Sequence, residues 1–165
     1  MKKVIFWTSL IALFFCLFET AILSHIQIFT AWPEFILILV IYIAIHNGTA
    51  IGTSCGFISG LLLDLMSLSP IGLHSFLFTL IGYIIGILHR KYNLNKIIIP
   101  ATLTLISIGL KVLIVFVLSI FGKNIIIYDI SKWQFWMQTG VTVIFAPIEF
   151  AILNLFLTAL KAEEF

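Results

Sequence analysis

An all-α integral membrane protein, folded as a bundle of six transmembrane helices, is what this sequence predicts, and three observations predict it. Of 165 residues, 62% are hydrophobic and only 10% charged, at a mean hydropathy of +1.22. Charge-free runs at 35–63 and 65–89 each exceed the roughly 20 residues that one spanning helix needs. The basic residues gather in short connecting segments, and the positive-inside rule turns that placement into a topology. No room remains for a soluble domain, so 1–165 reads as a single transmembrane domain. A net charge of +2, with no basic surface interleaved with aromatics, argues against a nucleic-acid partner.

The first helix, near 4–29, starts behind Lys2 and Lys3 as a signal peptide would. Its apolar stretch runs on too far, carries Glu19 and shows no small-x-small cleavage site, so it reads as a retained anchor. Trp32-Pro33 puts proline where a helix begins and opens the second helix, near 34–46. Asn47-Gly48 is the strongest internal turn signal and separates it from the third, near 49–68; Ser69-Pro70 divides that from the fourth, near 71–89. The fifth lies near 97–121, and the last, near 135–160, contains the kinking Pro147. The second helix is short: about 12 residues rise only about 18 Å against a hydrocarbon core of about 30 Å. It has to tilt little or be shielded by its neighbours.

Reading 35–63 as one span would set the basic segment 89–96 on the side opposite Lys2 and Lys3; two spans keep both inside. The cytoplasmic ends then hold Lys2, Lys3, Arg90, Lys91, Lys96 and Lys161, with both termini cytoplasmic, while the outer connections hold only Lys123 and Lys132. Trp32, Tyr128, Trp133 and Trp136 gather at the outer interface, and Trp7 and Tyr92 near the inner one. The outer connection 122–132 is an apolar stretch bracketed by charge, suited to the headgroup region or to a partner's edge.

Gly48, Gly52, Gly56 and Gly60 recur every fourth residue, and the next step lands on Asp64. Without side chains at those positions, another helix backbone can approach closely in lipid, where packing and hydrogen bonds join helices. Four residues is about 400° of helix, so the stripe drifts about 40° per step and suits a right-handed crossing.

A charge at mid-membrane costs about 2.5 to 3.5 kcal/mol, so Glu19, Asp64, Lys111 and Glu149 each need a partner, a cavity or neutralisation. Counting about 1.5 Å per residue puts Glu19, Asp64 and Lys111 at a common depth and Glu149 nearer the cytoplasm. The expected arrangement makes Lys111 the counter-charge of Asp64, with Glu19 as third member or substitute: a fixed pair that sets helix register, or else a proton or ion relay.

Cys16 and Cys55 read as small buried side chains, without the spacing of a disulfide or a metal site. His25, His46, His74 and His89 never form a spaced ligand pair, and His74 reads as a core histidine bonded across helices. Ser59-Gly60 with His74 falls short of an intramembrane serine protease, whose Gly-x-Ser-Gly would need glycine where Phe57 stands. No phosphate loop, dinucleotide fingerprint or carboxylate pair is legible, so no catalytic residue, cofactor or metal is expected.

Gly56, Gly60, Leu61 and Asp64 spell G-x-x-x-G-L-x-x-D, Pro70, Ile71 and Gly72 follow as P-[LI]-G, and the fourth helix carries Gly82 and Gly86. Over 56–90 this combination closely resembles the MreD family of rod shape-determining proteins. The resemblance implies a non-catalytic scaffold subunit of the bacterial cell-elongation (rod) complex in the inner (cytoplasmic) membrane, maintaining rod shape through lateral peptidoglycan synthesis. It implies direct binding of the bitopic protein MreC, and work alongside MreB, RodA and a class B penicillin-binding protein. It also implies a fold similar to the substrate-binding subunits of energy-coupling-factor transporters. The alternative function is therefore a substrate-binding membrane subunit of a small-molecule (vitamin) transporter. Those subunits resemble one another in an Ala-x-x-x-Ala patch on the first helix, whereas Ala12 and Ala21 here are nine apart.

Carried onto this chain, the motif positions are Gly56, Gly60, Asp64, Pro70 and Gly72. Asp64 stands just under the Pro70–Gly72 turn, where it can accept hydrogen bonds from the unpaired N–H groups that open the following helix. This would clamp the third helix to the fourth. On that account Asp64→Asn should leave folding nearly intact, and Asp64→Leu should lower the amount of protein in the membrane.

Overall fold

The computed structural model describes residues 2–19, 33–67, 70–89, 98–121, 132–156 and 160. Among these it forms six helices and no strand: α1 (Lys2–Phe18), α2 (Phe35–Asn47), α3 (Thr49–Met66), α4 (Leu73–Ile87), α5 (Ile98–Phe121) and α6 (Trp133–Leu155). The far end of the expected first helix, the basic segment from Arg90 to Lys96 and the outer connection up to Ser131 lie outside the described residues. So do Trp32, Lys123, Tyr128 and Lys161.

α2 is the centre of the bundle. All ten residues from Ile36 to Ile45 are buried. A helix that is apolar around its whole circumference has no face to turn to water and needs a wall on every side; α2 packs against each of the other five helices. Its 13 residues rise about 20 Å, less than a bilayer's hydrocarbon thickness. The length shortfall anticipated above is met by shielding.

Polar bonds fix the ends of this central helix. Tyr42 Oη donates to Asn154 Oδ1 on α6 at 2.9 Å, and Asn47 Nδ2 donates to the carbonyls of Ile43 at 3.1 Å and Leu160 at 2.8 Å. His89 Nδ1 lies 2.7 Å from the Ile45 carbonyl and ties the end of α4 to α2. At the opposite end the Phe35 ring stacks on Phe15 of α1, with centroids 5.6 Å apart, and meets Phe145 of α6 edge-on at 6.3 Å.

α1 turns a second small-residue stripe, Thr8, Ala12 and Cys16, toward the interior, where it packs against α3; all three side chains are fully buried. Cys55 of α3 is buried as well. Three helices are long and apolar enough to cross a membrane: Thr49–Met66, Ile98–Ile120 and Trp133–Leu155. The other three are shorter and apolar. The outer faces of the two longest helices display Leu105, Ile106, Leu113 and Phe116 on α5 and Ile144, Ile148 and Ile152 on α6. Such a surface is stable against acyl chains and not against water, so this is a membrane protein.

Candidate functional site

Two polar assemblies sit inside this apolar bundle, one in the α3–α4 hairpin and one where α1, α2, α5 and α6 meet. The hairpin is built on backbone contact. A Cβ placed on Gly52 would stand 2.7 Å from the carbonyl oxygen of Gly82, one on Gly56 would overlap the carbonyl of Phe78, and one on Gly60 would stand 2.5 Å from that of His74. Each step of four up α3 matches a step of four down α4, so the helix admitted by the glycine stripe is its antiparallel successor. Gly82 and Gly86 complete the fit from the other side, meeting the backbones of Gly52 and Thr49. Gly48 has a different duty: at φ 83° it makes the turn between α2 and α3, in a region that L side chains rarely enter.

Asp64 closes the hairpin. The Pro70 carbonyl accepts from Leu73 N–H at 3.2 Å and Gly72 adopts φ 98°, so the turn delivers the first N–H groups of α4 to the end of α3. Asp64 Oδ2 accepts from the N–H groups of Gly72 at 2.9 Å and Ser75 at 3.1 Å. Oδ1 accepts from His74 N–H at 3.1 Å and lies 2.9 Å from His74 Nδ1. The Asp64 side chain is 0% exposed. A helix start offers unpaired donors and a partial positive charge, and here both are spent on one carboxylate.

The expected pairing of Asp64 with Lys111 is corrected. Lys111 Nζ lies 2.6 Å from Glu34 Oε2, and Gln138 Nε2 donates to Glu34 Oε1 at 3.2 Å. The Glu34 N–H donates to Thr142 Oγ1 at 3.3 Å, and that hydroxyl donates to the Gln138 carbonyl at 2.7 Å. Glu19 interacts electrostatically with both Lys111 and Glu34, as a third member of that group, and its Oε1 accepts from the Phe35 N–H at 3.2 Å, at the start of α2. The reason is reach. Asp64 has a short side chain already surrounded by backbone donors, whereas Glu34, at the start of α2, stands directly beside Lys111 and Gln138.

Sequence reasoning did not count Glu34 among the interior charges, since it stands at the very start of α2 and not within a helix. The signal was present in the length of α2: a helix too short to span and walled in by its neighbours brings the acid at its start close to the groups of the surrounding helices. Glu34, Lys111, Gln138 and Thr142 line a cavity of about 10 Å³, room for about one water. Glu149, the fourth expected intramembrane charge, is buried on α6 apart from these bonds.

No group of three metal-ligating side chains occurs among the described residues. The buried Ser59 hydroxyl has no hydrogen-bond partner there, so it is not joined to His74. The chemistry of both assemblies is the satisfaction of charge inside an apolar bundle, and every bond but the one from Thr142 to the Gln138 carbonyl joins segments from different parts of the chain.

Neither the curated proteins nor the solved structures yield a match to this chain. The family model of the rod shape-determining protein MreD matches residues 1–156 of the 165, and the chain belongs to that family.

Proposed function

We propose that this chain is the non-catalytic membrane scaffold of the bacterial cell-elongation complex, binding MreC directly and holding it beside MreB, RodA and a class B penicillin-binding protein. Membership of the family makes it a participant in rod shape determination, and the match over residues 1–156 is the observation that carries the reading. The chemistry agrees in kind. The bonds of Asp64 and Glu34 are spent on joining helices, as expected of a rigid platform for other membrane proteins.

In this reading the protein resides in the inner membrane, crosses it six times and keeps both termini in the cytoplasm, the orientation that the placement of lysine and arginine favours. Gly52, Gly56, Gly60, Gly82 and Gly86, with Asp64, Pro70 and Gly72, serve it structurally by making α3 and α4 one unit. Affinity purification of the full chain from mild detergent tests the proposal. MreC is the expected companion; recovery of a paired ATPase module with a bound vitamin, in its place, would assign the chain to transport.

A further inference from the structure

Matching each interior carboxyl with its donors leaves one over. Asp64 receives four, Glu34 receives Lys111 and Gln138, and Glu19 receives the Phe35 N–H. Glu149 receives none. It is 4% exposed, lies on the inward face of α6 with Thr142, Ala146 and Leu153, and neither of its oxygens has a hydrogen-bond partner among the described residues.

The titratable groups on the helices around it offer no relief. Glu19, at the end of α1, is a second acid and not a counter-charge. On α2, Glu34 is engaged with Lys111 of α5, Tyr42 gives its hydroxyl proton to Asn154 of α6, and His46 lies against the Tyr42 carbonyl. A carboxylate so placed would be a bare charge in a low-dielectric interior beside another acid. A carboxylic acid would not be charged at all. A hard metal ion is a poor substitute, because it takes about six or more oxygen ligands and no cluster of three ligating side chains occurs among the described residues.

We propose that Glu149 is a proton-binding site within the bundle: it is held as the neutral acid at neutral pH, and α6 packs against α2 in that protonated state. Loss of the proton puts an unpaired charge two residues beyond Pro147, which has no N–H to give to the preceding turn. That leaves the α6 backbone ladder one hydrogen bond short there. The pair of features makes α6 a helix whose seating responds to protons, or to a base brought in by another protein.

Three measurements on the full-length protein test this. Infrared spectra at neutral pH should contain a protonated-carboxyl C=O band that is lost in Glu149→Gln and kept in Glu19→Gln. Dicyclohexylcarbodiimide, an apolar reagent that couples to protonated carboxyls, should mark Glu149 of the unmodified chain, with the label lost at strongly alkaline pH. The thermal midpoint of the wild type should fall as pH rises from the ordinary carboxyl range up to the pH at which native Glu149 loses its proton, because over that interval the unfolded chain has already released the proton that the native state keeps; Glu149→Gln should lack that part of the fall. Absence of the band, or its removal by sodium at constant pH, overturns the proposal. If Glu149→Gln fails to accumulate, labelling of the wild type decides alone: a label indifferent to pH, or none on Glu149, overturns it.

Discussion

Four donors converge on one carboxylate at Asp64, and that geometry revises what substitutions there should do. Asparagine is nearly the same shape, but its NH2 would face arriving N–H groups on one side or the other. A hydrogen bond to a charged group is worth about 1.5 to 3 kcal/mol, so Asp64→Asn should destabilise by about that much. Asp64→Leu loses every bond and leaves the α4 donors orphaned, so it should fall well below wild-type abundance. Thermal midpoints in detergent and immunoblots of membranes check both; wild-type abundance of the leucine variant would refute the clamp. The Lys111–Glu34 pair yields a second prediction. Removing one member of a buried pair costs about 3 to 5 kcal/mol, so Lys111→Met should be strongly destabilising. Combining it with Glu34→Gln should recover most of the loss, as a double-mutant cycle would measure. The depth count from the sequence put Lys111 level with Asp64, but depth says nothing about which way around its helix a side chain points. Partner choice was illegible for that reason.

α3 and α4 form the element whose fit is tightest, and its glycines divide by what stands opposite them. At Gly56 and Gly60 an added methyl group meets backbone carbonyls that cannot move aside, so alanine should destabilise by about 1 to 3 kcal/mol, the usual range for overpacking. At Gly109 and Gly140 nothing lies within 4 Å of an added Cβ. There alanine should be neutral or stabilise by up to about 1 kcal/mol, through the lower backbone entropy it has to lose. Thermal unfolding of the four variants side by side checks the contrast, and equal effects at all four would remove the close-contact account. The stripe itself was legible in the sequence because glycine every fourth residue has few other uses in an apolar helix. That α4 fills it was only half visible: Gly82 and Gly86 announce themselves, but the contacts at Gly56 and Gly60 are to carbonyls of Phe78 and His74, which any residue would supply.

For the molecule as a whole, the unusual arrangement is a short apolar helix with the other five packed around it. Leu39→Ala on α2 removes buried methyls from a site with no lipid to refill it and should cost about 2 to 5 kcal/mol, whereas Ile106→Ala on the exposed side of α5 should cost little. Unfolding in detergent separates the two, and similar losses would mean that α2 is not the centre. Helix number could be read from hydropathy and turn residues, while the length of the second helix left little tilt and shielding as alternatives, between which only the packing decides. The internal bonding pattern could not, since it depends on lateral placement. The Asp64 contacts also bear on how the chain is made. On its own, α3 would present the translocon with a naked acid, at a penalty of about 2.5 to 3.5 kcal/mol. The groups that cancel it belong to Gly72, His74 and Ser75, which emerge from the ribosome only afterwards. The two helices are therefore best released into lipid together, as a preformed hairpin, with α3 waiting in the channel for its successor.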